Sequence, residues 1–164
     1  MQYVFIPEIL NLIDIDEILN NCKNGYINIT PNIKNILVVN LGMSKKELTH
    51  FINNKCNIYV FGKNFSLNQL KNLSFDAIFI SDGKLHFEEL EVLVEKIKKY
   101  IGVKTILGVG LGKDVIEMAI CKKQGDNQWD QNNGILKNER YGIYCSDNNS
   151  DDSLKKLLKL SKIA

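Results

Sequence analysis

The stretch from Thr105 to Asp114 constrains this chain most. Thr105-Ile106-Leu107-Gly108-Val109 reads as a buried strand, Gly110-Leu111-Gly112 as a tight glycine turn, and the residues from Lys113 onward as a helix. A strand–turn–helix of that kind holds its apex residue out beyond the end of a sheet, and in many hydrolytic enzymes that apex carries a nucleophile. Here the apex is Gly110, which has no side chain to offer.

The rest of the chain repeats the strand-then-helix rhythm. Ile36-Leu37-Val38-Val39-Asn40-Leu41 is a nearly continuous apolar run, as expected of a strand covered on both faces. Gly42 makes a turn, and Ser44-Lys45-Lys46-Glu47 is a capping box ahead of a helix with Leu48, Phe51 and Ile52 on one face. Ile58-Tyr59-Val60-Phe61 is the next strand, and Ser66-Leu67-Asn68-Gln69 is a second capping box followed by Leu70. Ala77-Ile78-Phe79-Ile80 is a third strand. Phe87, Leu90, Leu93, Val94, Ile97 and Ile101 predict a long amphipathic helix, and Val115, Met118 and Ala119 face inward from the helix after Gly110.

This alternation predicts a three-layer α/β/α fold on a mostly parallel, flavodoxin-like sheet with βαβ crossovers. Ligands then bind beyond the carboxyl ends of the strands. Those ends are Asn40–Gly42, Phe61–Lys63, Ser81–Lys84 and Gly108–Gly112.

The flanks are less regular. Residues 3–6 read as a first strand. Pro7 suits the first turn of a helix through Ile9, Leu10 and Ile13, with a second turn running on to Cys22. Gly25 ends that segment, and Tyr26 to Thr30 alternates like a half-exposed strand that Pro31 stops. Gln124 to Asn133 is polar around Trp129. Gly134-Ile135-Leu136 and Tyr141-Gly142-Ile143-Tyr144-Cys145 predict a hairpin around Lys137–Arg140. Asp147 to Asp152 is a polar loop before a last helix with Leu154, Leu157 and Leu158 on one face and Lys155, Lys159 and Lys162 on another. The 164 residues are read as a single domain: a segment 1–35 of uncertain match, then a core over 36–152.

Composition excludes several classes. A net charge of +2 does not argue for nucleic acid or an anionic membrane. No apolar run is long enough to span a bilayer, and the opening Met1-Gln2-Tyr3-Val4-Phe5-Ile6 lacks the basic n-region of a signal peptide, so the expected location is cytoplasmic. Cys22, Cys56, Cys121 and Cys145 are scattered, with only two histidines beside them; reduced, mostly buried thiols are expected, and neither a metal nor a cofactor.

Three motifs fail on inspection. A Walker A loop needs Gly and Ser/Thr where Leu107 and Asp114 stand, and a dinucleotide fingerprint needs glycine at Lys113. Asp147-Asn148-Asn149-Ser150-Asp151 begins like a calcium loop, but Asp152 replaces the required Gly and Leu158 the terminal Glu. It reads better as a helix N-terminus whose Asp151 and Asp152 complement the dipole. Cys145 and His86 are the least remote thiol–imidazole pair.

Four segments, in order, resemble class I glutamine amidotransferase domains, above all the glutaminase half of the carbamoyl-phosphate synthetase small subunit. Val38-Val39-Asn40-Leu41-Gly42 resembles that family's first strand and D-F-G turn. Ser74-Phe75-Asp76-Ala77-Ile78-Phe79-Ile80-Ser81-Asp82-Gly83 is similar to N-P-D-G-[VI]-F-L-S-N-G. Leu107-Gly108-Val109-Gly110-Leu111-Gly112 resembles the F-G-I-C-L-G elbow, and Tyr144-Cys145-Ser146-Asp147-Asn148-Asn149 the strand and loop ending in Q-N-H.

The resemblance implies a cysteine thiolate at the elbow, activated by a histidine–glutamate pair, and an oxyanion held by backbone N–H groups. This chain departs at those positions. Gly110 stands for the cysteine, Gly83-Lys84-Leu85 for the G-P-G oxyanion loop, and Asn149 near the place of a histidine; the final H-P-E has no counterpart.

The expectation is therefore a pseudo-enzyme: no catalytic residues, and a possible ligand pocket formed by Ser81, Asp82, Gly83, Lys84, Gly108, Gly110, Leu111 and Cys145. It would bind a small ligand or a protein, either a synthetase-type subunit or a second copy of itself. The alternatives are a hydrolase-type enzyme of another class using Ser81, Asp82, Lys84, His86 or Cys145, and a homo-oligomeric structural module built on the hairpin and Trp129. An open pocket beside Gly110 would favour a ligand; one filled by Lys84 or Leu85 would favour a protein partner.

Overall fold

The computed structural model describes residues 2–5, 25–28, 34–54, 56–71, 73–123, 129–132 and 134–163. The helical turns expected between Pro7 and Cys22, the Thr30–Pro31 strand end and most of the polar stretch before Trp129 lie outside those residues.

Among the described residues there are nine strands: β1 Gln2–Phe5, β2 Gly25–Asn28, β3 Lys34–Asn40, β4 Cys56–Gly62, β5 Ala77–Ile80, β6 Thr105–Val109, β7 Asp130–Asn132, β8 Ile135–Asn138 and β9 Ile143–Ser146. The helices are α1 Lys45–Asn53, α2 Leu67–Leu70, α3 Phe87–Lys98, α4 Leu111–Lys123 and α5 Asp151–Leu160. All nine strands join one sheet in the order β1-β2-β4-β3-β5-β6-β9-β8-β7. Its centre, β4-β3-β5-β6-β9, is parallel. The β2–β4, β8–β9 and β7–β8 pairings are antiparallel. The fold is the expected α/β layering.

Alternation along each central strand splits the core in two. Ile36 and Val38 of β3 and Phe79 of β5 face α1 and α5, meeting Leu48, Phe51, Leu154 and Leu158. Leu37, Val39, Ile78 and Ile80 point the other way, against Leu93, Val94, Ile97, Val115 and Ile116 of α3 and α4. A fully buried aliphatic or aromatic side chain contributes roughly 1.5–3 kcal/mol. The ring pair Phe51–Phe79, at 4.8 Å and 66°, adds edge-to-face contact across the first layer.

Both predicted capping boxes form, at Ser44/Glu47 and Ser66/Gln69. α2 is nevertheless only 4 residues long. The hairpin also forms, but its first strand takes in Lys137 and Asn138, so the turn falls two residues later, at 139–142. β9 further pairs with β6 in parallel, which makes the hairpin a continuation of the sheet. Edge strand β7, within the stretch expected to be irregular, extends it again. Phe87 is a correction. It opens α3 and is 70% exposed, because the apolar face of that helix begins only with Leu90 and Leu93.

Candidate functional site

The carboxyl ends of β3, β5 and β6 converge. Beyond β3, Asn40 Oδ1 accepts from the amides of Gly42 (3.0 Å) and Met43 (2.7 Å), turning the chain into α1. Ser44 caps α1, and Glu47 folds back so that Oε2 accepts from the Ser44 amide at 2.6 Å and from its hydroxyl at 3.0 Å. Glu47 is fully buried. Its second oxygen accepts from the amide of Asp82 at 3.2 Å, so the cap of one helix also anchors the loop after β5. A buried carboxylate persists when hydrogen bonds satisfy it, as these do.

Ser81 ties the same loop to β3. Its hydroxyl accepts from the Leu41 amide and donates to the Asp82 carbonyl, both at 2.9 Å. The Lys84 amide donates to Leu41 O at 3.1 Å. Gly83 lies so close to β3 that a Cβ there would sit 1.9 Å from Leu41 O. Glycine is the residue that permits this approach.

β6 ends at the elbow. Gly110 has φ +55, and its amide donates to Ser146 O at 3.0 Å. α4 starts at once and packs hard onto β5: a Cβ on Gly112 would stand 2.0 Å from Ile80 O, and one on Gly108 would stand 2.8 Å from the Gly112 carbonyl carbon.

Asp82 joins the two loops. Its Oδ1 accepts from the Gly83 amide at 2.8 Å and from the Leu111 amide at 3.0 Å. The carboxylate lies over the apex, where a Cβ on Gly110 would be 2.3 Å from both Cγ and Oδ1. The space above the elbow is thus filled by Asp82, not by Lys84 or Leu85 as the sequence reading allowed.

Beside this plug is an open pocket of about 630 Å³, lined by Lys63, Gly83, Lys84, Leu85, His86, Glu89 and Leu111. Glu89 pairs with Lys63 at 2.7 Å and accepts from the His86 amide at 3.2 Å. The Lys63 ammonium, then the His86 amide, hold the Glu89 carboxyl below its usual range.

Of the expected pocket residues, Asp82, Gly83, Gly110 and Leu111 come together, Ser81 supports them from below, and Lys84 lines the open pocket. Gly108 is buried in β6. Cys145 is a correction: it is fully buried in the apolar layer beneath α4, and burial drives its thiol far above the ordinary range. His86 is exposed at the pocket, so the structure does not assemble the Cys145–His86 pair. Lys113, next to the elbow, pairs with Asp147, whose carboxylate raises its pKa. Asn149 Nδ2 donates to Ser44 Oγ at 3.4 Å. Sequence reasoning missed Glu47 and Glu89, and marked Lys63 only as the end of a strand. The capping box did mark Glu47, but only as a helix cap.

The class-I glutamine amidotransferase model matches residues 37–148, most of the chain. The chain belongs to the class-I glutamine amidotransferase family. The amidotransferase domain matched runs from within β3 to just past β9, including all three loops of the site. Its curated relatives include the carbamoyl phosphate synthase small chain of Clostridium perfringens, 26% identical over 59% of this chain and 28% of the relative. That of Clostridium acetobutylicum is 25% identical over 70% of this chain and 34% of the relative. That of Caldanaerobacter subterraneus is 33% identical over 50% and 23%. The matched part spans about a quarter to a third of those relatives' length.

Among the described residues no helix is long and apolar enough to cross a membrane.

Proposed function

We propose that this amidotransferase domain does not hydrolyse glutamine and acts as a binding domain. One observation carries the reading: the volume that a nucleophile on Gly110 would need is taken by the Asp82 carboxylate, 2.3 Å from the position of a Cβ. Acyl transfer to a side chain cannot begin at a glycine. The Leu111 amide, which follows the apex and in elbow enzymes helps hold the oxyanion, is already bonded to Asp82.

A filled apex supports a protein partner. Relatives named carbamoyl phosphate synthase small chain point to a synthetase-type subunit as that partner, with a second copy of this chain as the other possibility. On this reading the amidotransferase-like core spans residues 36–152, preceded by a segment, residues 1–35, of uncertain match. The open pocket favours a second reading, a small ligand held beside Lys63, Lys84 and His86.

Ammonia release from glutamine by the purified protein tests the first claim, with a heat-killed control; release above that control contradicts it. Co-sedimentation with a synthetase large subunit tests the partner, and independent sedimentation at micromolar concentration counts against it.

A further inference from the structure

Gly83 and Leu111 belong to different loops, yet their amides converge on one point. One follows β5 and the other opens α4. A single oxygen, Asp82 Oδ1, accepts from both, at 2.8 and 3.0 Å. Two backbone donors at that spacing around one anionic oxygen make an oxyanion cradle, and the N-terminus of a 13-residue helix lies behind one of them.

We propose that Asp82 is the cradle's built-in ligand, an autoinhibitory contact that keeps this two-amide anion site shut in the native chain. The inference rests on the reading that the elbow performs no thiolate chemistry, and it deepens that reading by naming what occupies the site.

Several contacts fix Asp82 where it stands. Its own amide is held by the buried Glu47 carboxylate at 3.2 Å. Its carbonyl takes the Ser81 hydroxyl at 2.9 Å. Gly83, pressed on Leu41 O, sets the direction in which the loop leaves. Gly110 completes the device, because any side chain there would push the carboxylate away. The carboxylate therefore meets both donors with its backbone already ordered, whereas an external anion must give up translational freedom to do the same. Where the native chain binds a carboxylate in the adjoining pocket, it does so without these two amides.

Truncation tests this directly. Asp82→Ala leaves both amides unpaired in a preformed cradle, so sodium acetate should bind there. Thermal midpoints are measured in sodium acetate and in sodium chloride of equal ionic strength, together with amide proton shifts of Gly83 and Leu111. Acetate should raise the Asp82→Ala midpoint by about 3 °C more than chloride at about ten times its Kd, and should move the Leu111 amide in a saturating manner. The wild type should show neither effect. Equal responses to the two salts in Asp82→Ala, or an acetate response in the wild type, overturn the proposal. Asp82→Asn keeps the shape and loses the charge, so a folding failure of the alanine variant does not end the test. In the asparagine variant the Leu111 amide should exchange about tenfold faster than in wild type; unchanged exchange also overturns the proposal. Ammonia release, read on the same samples, bears on the glutaminase claim alone, so the two can fail separately.

Discussion

Asp82 and Gly110 compete for one volume: a Cβ on Gly110 would stand 2.3 Å from the Asp82 carboxyl carbon, closer than any two such atoms can approach. Gly110→Ala therefore forces a φ of +55 on an L-residue and expels the carboxylate. The expected loss is roughly 2–3 kcal/mol by urea denaturation. In an Asp82→Ala background the same substitution should cost less, with a coupling of roughly 1 kcal/mol. Strict additivity in the double-mutant cycle contradicts the shared volume.

Gly112 and Gly134 should respond differently to alanine. At Gly112 the new Cβ meets the backbone oxygen of Ile80 at 2.0 Å, which cannot rotate aside, so strand and helix must separate. Gly134 has φ +82 but nothing within 4 Å of a Cβ. Gly112→Ala should cost about 3 kcal/mol and Gly134→Ala about 1 kcal/mol. Equal losses in urea midpoint refute the close approach of α4 to β5.

Glu47 ties α1 to the Asp82 loop from a fully buried position. Glu47→Ala removes a cap and leaves the amides of Ser44 and Asp82 without their acceptor, for about 2–3 kcal/mol by urea denaturation. Glu47→Gln keeps one acceptor oxygen and should lose clearly less. If the two variants are equally stable, the carboxylate is not the tie described.

The chain's elements were legible because they are local. Capping boxes at Ser44 and Ser66, the apolar run of β3 and the glycines of the elbow each declare themselves within a few residues. The substitution of Gly110 at the apex was legible for the same reason. What fills that apex was not: Asp82 reaches Leu111 across 29 residues of sequence, and Glu47 reaches Asp82 across 35. Such contacts are properties of the assembled sheet. The insertion of β9 beside β6 is another, since a hairpin pattern does not state which strand it will join.

Helices α1 and α5 are joined at the surface by His50 Nε2 and Asp151 Oδ1, 2.9 Å apart. That hydrogen bond, first among the causes, holds the Asp151 carboxyl below its ordinary value of 3.8. A carboxyl depressed in the folded state stabilises it above the unfolded pKa, and the contribution disappears as pH falls through the lower, folded pKa. Wild type should thus be more stable than Asp151→Asn at pH 5 to 6 and converge with it in stronger acid. A gap that widens on acidification contradicts that sign.

The buried thiols of Cys56 and Cys145 should be silent. Burial pushes Cys56 up to about 11 and Cys145 higher still, so neither offers thiolate near neutrality. Peptide mapping after iodoacetamide treatment of native protein at pH 8 should find both unmodified, and denaturant should release both. Rapid native alkylation of Cys145 would instead revive a thiol enzyme on this scaffold.

The central claim meets its most direct test in one assay: ammonia release from L-glutamine by wild type and by Gly110→Cys, read against a heat-killed control. A thiol placed at residue 110 must displace the Asp82 carboxylate and take a φ of +55, and Asn149 stands near the place of the histidine that would activate it. Neither protein should release ammonia above the control. Sustained, protein-dependent release by the wild type would show that glutamine is hydrolysed without a nucleophile at Gly110, and would contradict the account.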